Sequence, residues 1–323
     1  MFVDARQRPW TGTDFPAVEA WFVRHATPLD RVVAATDRPR YWLPHAALVN
    51  GRPAPLYRSV NILNGVLDVA QVLHGRAMWH RGAGRYAEAW RDIRAILRLG
   101  RSITAGESGP SMFFAVAQAS ALEQMAARAT IEHLVGSPAV PGDVIATIRR
   151  DLDALGPPAG TTVSNATEAI LFATSRHWRS DRVGTALVRI LSDGSTAALL
   201  ATYAESRARF EMTRTAAALA AWRADQPPGT PPYPDRLDAL VPKYLAAVPL
   251  DPFTDEPLIY ERRGDGYLMA STGRDGVHDG GDDVSGRIVR GEWQDQPGRG
   301  GYDRTDIVAR IPIPQPVAAP ADR

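Results

Sequence analysis

Apolar residues recur every three or four positions through most of the first 225 residues, the spacing that places them on one face of an α-helix. Over 14–36 the repeat is Val18, Trp21 and Phe22, with Asp14 placed to cap and Thr27-Pro28 placed to restart the helix. A loop punctuated by Pro39, Pro44, Gly51 and Pro53 follows. The pattern then predicts a long helix over 55–82, with Leu56, Val60, Leu63, Leu67, Ala70 and Ala77 as its stripe. Arg-Gly-Ala-Gly-Arg at 81–85 breaks it, and a second helix starts near Tyr86 with Tyr86, Trp90, Ile93 and Leu97 on one face. An Ala-rich helix is expected over 111–135, another over 142–154 with Val144, Ile148 and Leu152 inward, and two more over 165–178 and 196–222.

After residue 225 the pattern changes. The stretch "ADQPPGTPPYPD" cannot continue a helix and marks a stiff hinge. Leu237, Leu240, Val241 and Tyr244 predict a short helix. The runs "PLIYERR" and "GYLMAST" predict a β-hairpin over 257–261 and 267–271. The expected fold is mainly α: a helical bundle or short helical-repeat domain over 1–225, a small α+β module over 226–290, and an irregular Pro-rich tail over 291–323.

Bulk properties narrow the partners. A length of 323 residues suffices for two domains with full cores, and 45% apolar with 23% charged residues is ordinary for a globular chain. A net charge of +1 gives no reason to expect nucleic acid, and Lys243 is the one lysine among the cations. The absence of cysteine excludes disulfides, thiolate metal sites and a Cys nucleophile. No apolar run reaches the roughly 18 residues that span a bilayer, and the first residues do not read as a secretory signal. The sequence does not fix a compartment.

Motifs of catalysis are sparse. The seven histidines show no HExxH spacing, and His74 and His80, six apart, point to different faces of one predicted helix. There is no GxSxG, GxxxxGK[ST] or strand-associated GxGxxG. Asn165-Ala166-Thr167 fits a glycosylation sequon, a triplet common by chance. An enzyme would have to draw on residues between helices, such as Glu168, His177 or Glu205. The segment 75–100, with Ala77, Gly84, Tyr86, Ala89, Trp90, Ala95 and Leu97 at small and aromatic positions, resembles one tetratricopeptide helix hairpin, without a second copy at the repeat period. That resemblance implies a peptide- or protein-binding alternative.

The stretch "GRDGVHDGGDD" stands apart. Asp275, Asp279, Asp282 and Asp283 sit among four glycines, so carboxylates and carbonyls can converge on a hard cation, and Ca²⁺ is the expected ion. The alternative is a solvated acidic turn. Val277 breaks the EF-hand pattern. Upstream and within the stretch the chain reads Asp251-Pro252-Phe253, Pro257-Leu258-Ile259-Tyr260, Gly266-Tyr267-Leu268, Ser271-Thr272-Gly273-Arg274-Asp275-Gly276 and Asp282-Asp283. Over about 210–285 this resembles the C-terminal part of the major pseudopilin of type II secretion, and the whole layout resembles an uncharacterised bacterial family whose members often carry a membrane anchor. The pseudopilin resemblance implies Ca²⁺ held by Ser271, Asp275, Asp282 and Asp283. The prepilin leader and apolar spine of that family are not found in the opening residues, so the resemblance implies the module rather than fibre assembly. The reading is a non-enzymatic scaffold or interaction protein with a calcium-stabilised pseudopilin-like module, a protein partner and, by resemblance, an association with the bacterial envelope or secretion.

Overall fold

The computed structural model describes residues 3–38, 48–49, 52–53, 55–105, 113–158, 182–278, 287–289, 292–294 and 306–312. Its side chains are described over 3–38, 64–104, 115–158, 200–278 and 306–312. The protein is mainly helical, with a small three-stranded antiparallel sheet. It divides into two compact units, Met1–Leu134 with Gly156–Ser206, and Val135–Leu155 with Arg207–Arg323.

The first unit opens with a 3₁₀ turn, Asp4–Arg6, then α1 (Pro16–Arg24) and α2 (Ala26–Ala35). The break expected within 14–36 is present, with the restart one residue ahead of Thr27. The Asp14 carboxylate accepts the Thr11 N–H at 2.9 Å instead of a helix amide. Helix α2 begins at Ala26, ahead of Thr27, with no side-chain cap. Two-residue strands β1 (Leu48–Val49) and β2 (Arg52–Pro53) pair antiparallel. Helices α3 (Pro55–Gly82) and α4 (Tyr86–Ala105) match the predicted hairpin. The helix expected over 111–135 is α5 (Phe113–Ala129) followed by a π-helical turn, Thr130–Val135.

The α3 stripe is offset from the expected one: Ala70, Leu73, Ala77 and Met78 are buried, while Leu67 is only half-buried. The side chains of Leu56, Val60 and Leu63 lie outside the described residues. On α4 the buried face holds Ala89, Trp90, Ile93, Ile96 and Leu97, and Tyr86 is half-buried. The N-terminal segment lies directly on α3. A Cβ at Gly82 would sit 2.0 Å from the Trp10 carbonyl oxygen, so the approach requires glycine there. Trp10 stacks on Phe22 and Trp79, and the Trp79 indole N–H donates to Glu19 Oε1 at 2.8 Å.

One buried ion pair pins α3 to α4. Arg76 Nε and Nη2 donate to the two oxygens of Asp92 at 2.7 and 2.6 Å, and Nη1 donates to Asp30 on α2 at 3.0 Å. The planar fork satisfies both Asp92 oxygens at once, which a lysine could not do. A second pair joins α4 to α5: Arg101 Nε lies 2.9 Å from Oε1 of Glu123, which is buried. Burial pushes the Glu123 carboxyl up to about 7, against the pull of Arg101.

The second unit contains α6 (Gly142–Leu155), with Val144, Ile145, Ile148 and Leu152 buried, and the latter part of α7 (Arg182–Asp225). Asp225, where the sequence reading sets its boundary, is the last residue of α7, a helix that contributes to both units. Arg223 donates to the carbonyls of Val135, Gly136 and Ser137 and to the Tyr233 hydroxyl, closing the end of the π turn. The short helix expected from Leu237 is one 3₁₀ turn, Leu237–Leu240, because Pro242 supplies no N–H to extend it. Of the expected apolar residues Leu237, Leu240 and Tyr244 are buried and Val241 is half-buried, and Leu245 is buried as well.

Strands β3 (Ile259–Arg263) and β4 (Gly266–Ser271) form the expected hairpin, with Ile259 opposite Ala270 and Arg263 opposite Gly266. Short strands β5 (Arg287–Val289) and β6 (Glu292–Gln294) pair with each other. The sequence reading assigns 291–323 to an irregular tail, yet Ile307–Ile311 is a strand, β7, that pairs with the free edge of β4. Ile307, Ala309 and Ile311 alternate inward, and the order is β3-β4-β7. A Cβ at Gly266 would lie 1.8 Å from the Ile311 carbonyl oxygen, so this end of the sheet also demands glycine.

Two outcomes follow from this packing. Trp90→Ala should cost about 3–5 kcal/mol in denaturant melts, as expected for a large side chain that is 3% exposed; a loss under about 1 kcal/mol would contradict its place in the core. For Glu123, a folded value raised from 4.5 to about 7 means that stability is full below about 4.5 and falls as pH rises to about 7. Glu123→Gln should remove that fall, so the variant should gain about 2 kcal/mol on the wild type between pH ~5 and pH ~8. Parallel melts at the two pH values measure it, and an unchanged difference would show that the carboxyl is ionised throughout.

Candidate functional site

The acidic stretch leaves the sheet at the end of β4, and what fixes that point is Asp251. Leu250 bridges to Pro257, the Asp251 N–H donates to the Glu256 carbonyl at 2.7 Å, and the Thr254 and Asp255 N–H groups return to the Asp251 carbonyl. This small loop holds the Asp251 side chain inward, where the residue is 2% exposed. Its Oδ1 accepts from the Phe253 N–H at 3.1 Å and from the Ser271 hydroxyl at 2.8 Å. Its Oδ2 accepts from the Thr272 N–H at 2.8 Å and the Thr272 hydroxyl at 2.9 Å. Four donors offset the desolvation of one carboxylate and tie the Asp-Pro-Phe turn to the last residues of β4.

Beyond Thr272 the chain makes a 3₁₀ turn, Gly273–Asp275, and Gly276 takes a left-handed conformation with φ 69°. The Asp275 Oδ1 accepts the Val277 N–H at 3.0 Å, an Asx turn on an exposed residue. His278 Nδ1 lies 2.8 Å from Oδ2 of Asp306, whose side chain is fully buried. Asp306 directly precedes β7, and Ile307 stands opposite Ser271. Two buried carboxylates therefore flank the root of the acidic stretch, Asp251 on the side of β3 and Asp306 at the start of β7. Toward the other end of β4, Tyr233 and Tyr267 meet edge to face at 4.9 Å, and burial raises the Tyr267 phenol well above its ordinary value.

Of the five residues expected to hold a cation, Ser271 and Asp275 are described. Ser271 is fully buried, with its hydroxyl donating to Asp251 and accepting the Gly273 N–H at 3.4 Å. The Asp275 carboxylate is turned toward its own following backbone and remains exposed. Asp279, Asp282 and Asp283 lie outside the described residues. Among the described residues, no three His, Asp or Glu side chains come together as a metal site. Of the residues considered for an enzyme, Glu205 is half-buried on α7, and Glu168 and His177 lie outside the described residues.

Sequence reasoning passed over both buried carboxylates. Asp251 was visible only as the first residue of an Asp-Pro turn, although an Asp in that place is suited to accepting from the backbone two residues on. Asp306 carried no local signal, because its partner is 28 positions away.

This geometry ranks three substitutions. Asp251→Ala strands the Ser271 and Thr272 hydroxyls and two N–H groups in a buried place, and should cost about 3 kcal/mol or more. Ser271→Ala removes one of the four donors and should cost about 1 kcal/mol, while Asp275→Ala, on the surface, should cost less than that. Urea melts of the three variants test the order, and equal losses would place the tie elsewhere.

Comparisons with protein-family models, with characterised proteins and with solved structures gave no significant match for this chain.

Proposed function

We propose that the protein is a non-enzymatic scaffold or interaction protein whose second unit carries a calcium-stabilised, pseudopilin-like module, and that it works with a protein partner at the bacterial envelope or in secretion. The observation that carries the reading is the pairing of Ser271 with Ile307 across the intervening acidic stretch. Closing that long connection has an entropic cost, and β4 and β7 meet only when it is met. Asp275, Asp279, Asp282 and Asp283 repel one another in the stretch. A bound divalent cation reverses the repulsion, and its binding energy becomes folding energy for the sheet. Oxygen ligands on a Gly-rich chain suit Ca²⁺ over Zn²⁺, and an irregular shell suits it over Mg²⁺. The Asp251 tie supports the reading from the other side, since it sets Ser271 and the following turn in place at the root of the loop.

The buried ionic groups of both units fit a structural role. Arg76 engages both oxygens of Asp92, Asp251 takes four donors, and Arg223 closes three carbonyls. No helix among the described residues is long and apolar enough to cross a membrane, so envelope association in this reading runs through a partner or a part of the chain other than those helices.

Titration calorimetry and thermal melts of the full chain test the calcium step. Ca²⁺ should bind and raise Tm, Mg²⁺ at the same concentration should do less, and Asp275→Ala with Asp282→Ala should abolish the rise. An absence of heat at millimolar Ca²⁺ together with an unchanged melt would leave the stretch a solvated acidic turn and remove calcium from the function.

A further inference from the structure

Three histidines of the first unit are shielded from water, and two of them share one place. His74 on α3 has a buried Nε2 with no hydrogen-bond partner among the described residues. It lies near Arg6 of the N-terminal 3₁₀ turn and Arg128 of α5, and near His133 of the π turn. His133 in turn faces His74, Arg128 and Arg81, with its side chain 14% exposed and its carbonyl accepting from Arg81 Nε at 2.6 Å. Glu132 lies 4.0 Å from His133 Nε2, and Arg128 already bonds both oxygens of Glu132 at 3.0 and 3.1 Å.

We propose that the His74–His133 set is an acid-operated release, in which protonation of the two imidazoles frees the turn beginning at Thr130 and the Asp4–Arg6 turn from α3. The geometry leaves a new proton uncompensated. Either imidazolium would sit near two guanidiniums, Arg6 and Arg128 for His74 and Arg128 and Arg81 for His133, and near the other imidazole, while Glu132 is already engaged by Arg128. Among the described residues nothing bonds the buried His74 Nε2, so an N–H there meets no acceptor. Proton uptake at this place therefore requires that the packed groups separate and that water reach them. The π turn suits such a release, because a π helix is a local departure from the regular helical ladder.

The titration of each group agrees in sign. Burial first, and the neighbouring guanidiniums second, push His74 down from 6.5 to about 4. Burial first, then His74 and the guanidiniums, do the same to His133. A depressed folded value gives stability that is full above about 6.5 and lost as pH falls toward about 4. His80 is also pushed down to about 4, by burial and by Arg85, Arg76 and Arg91. It differs in having partners: Nδ1 accepts from Arg85 at 2.9 Å, and Asp92 lies 3.9 Å from Nε2.

Hydrogen–deuterium exchange on the full chain tests the release, with labelling times scaled for the intrinsic pH dependence of exchange. Between about pH 7 and about pH 5, the wild type should lose protection tenfold or more over 70–78 and 126–134, since each shifted histidine contributes roughly tenfold or more over that interval. The double variant His74→Gln, His133→Gln should keep its protection at about pH 5, whereas His80→Gln should behave there as the wild type does. Protection that persists in the wild type, or that is lost equally in the double variant, overturns the proposal. Imidazole proton NMR of the wild type gives a reading that needs no variant: both resonances should titrate below about pH 5 while the chain is folded, and a midpoint near 6.5 in the folded chain overturns the proposal as well.

Discussion

A charge removed from water must be met by opposite charge or by a full set of hydrogen bonds, and this constraint governs how the protein is held together. The cations available are almost entirely arginine. A guanidinium meets the constraint by presenting several donors in fixed directions. Arg76 can therefore lie at 3% exposure between α3 and α4 with Asp92, which is 1% exposed, and still reach Asp30 on α2. Arg223 closes the carbonyls of Val135, Gly136 and Ser137 in the same way. Asp251 is the converse case, a carboxylate whose oxygens find donors from a turn and a strand end. Each of these joins segments far apart in sequence, so the polar interior does more to fix relative positions than to add net stability.

The helical part was legible because its information is local. Trp90, Ile93 and Leu97, like Val144, Ile148 and Leu152, announce their helix by spacing alone, and all six are buried. The sequence was misleading where a neighbour decides. Composition around Pro312 reads as an irregular tail, yet Ile307–Ile311 pairs with β4 because that strand offers an unpaired edge lined by buried side chains. Asp14 looks like a cap, but the Thr11 N–H is nearer to hand. Leu237 through Tyr244 has helical spacing, and Pro242 denies it the amide that would extend the turn.

The candidate site shows the same division. The acidic composition of 275–283 is visible on inspection, and Ser271 and Asp275 do stand where β4 turns away. The groups that hold that root, Asp251 and Asp306, act over separations of 20 and 28 positions through hydrogen bonds whose partners no periodicity links. A sequence can reveal that a loop is rich in ligands; which of its groups are already engaged by the scaffold is a property of long-range packing.

The position of β7 has a kinetic consequence. During synthesis β3 and β4 leave the ribosome first and can form their hairpin, while the strand that covers the other edge of β4 comes only after the acidic stretch. Every residue of β4 is buried in the finished sheet. Until β7 arrives, that strand has an unpaired row of N–H and C=O groups beside apolar side chains, the arrangement that recruits strands from other chains. The run of aspartates follows this strand directly in sequence, and like charge on each nascent copy opposes their approach while the last strand is being made.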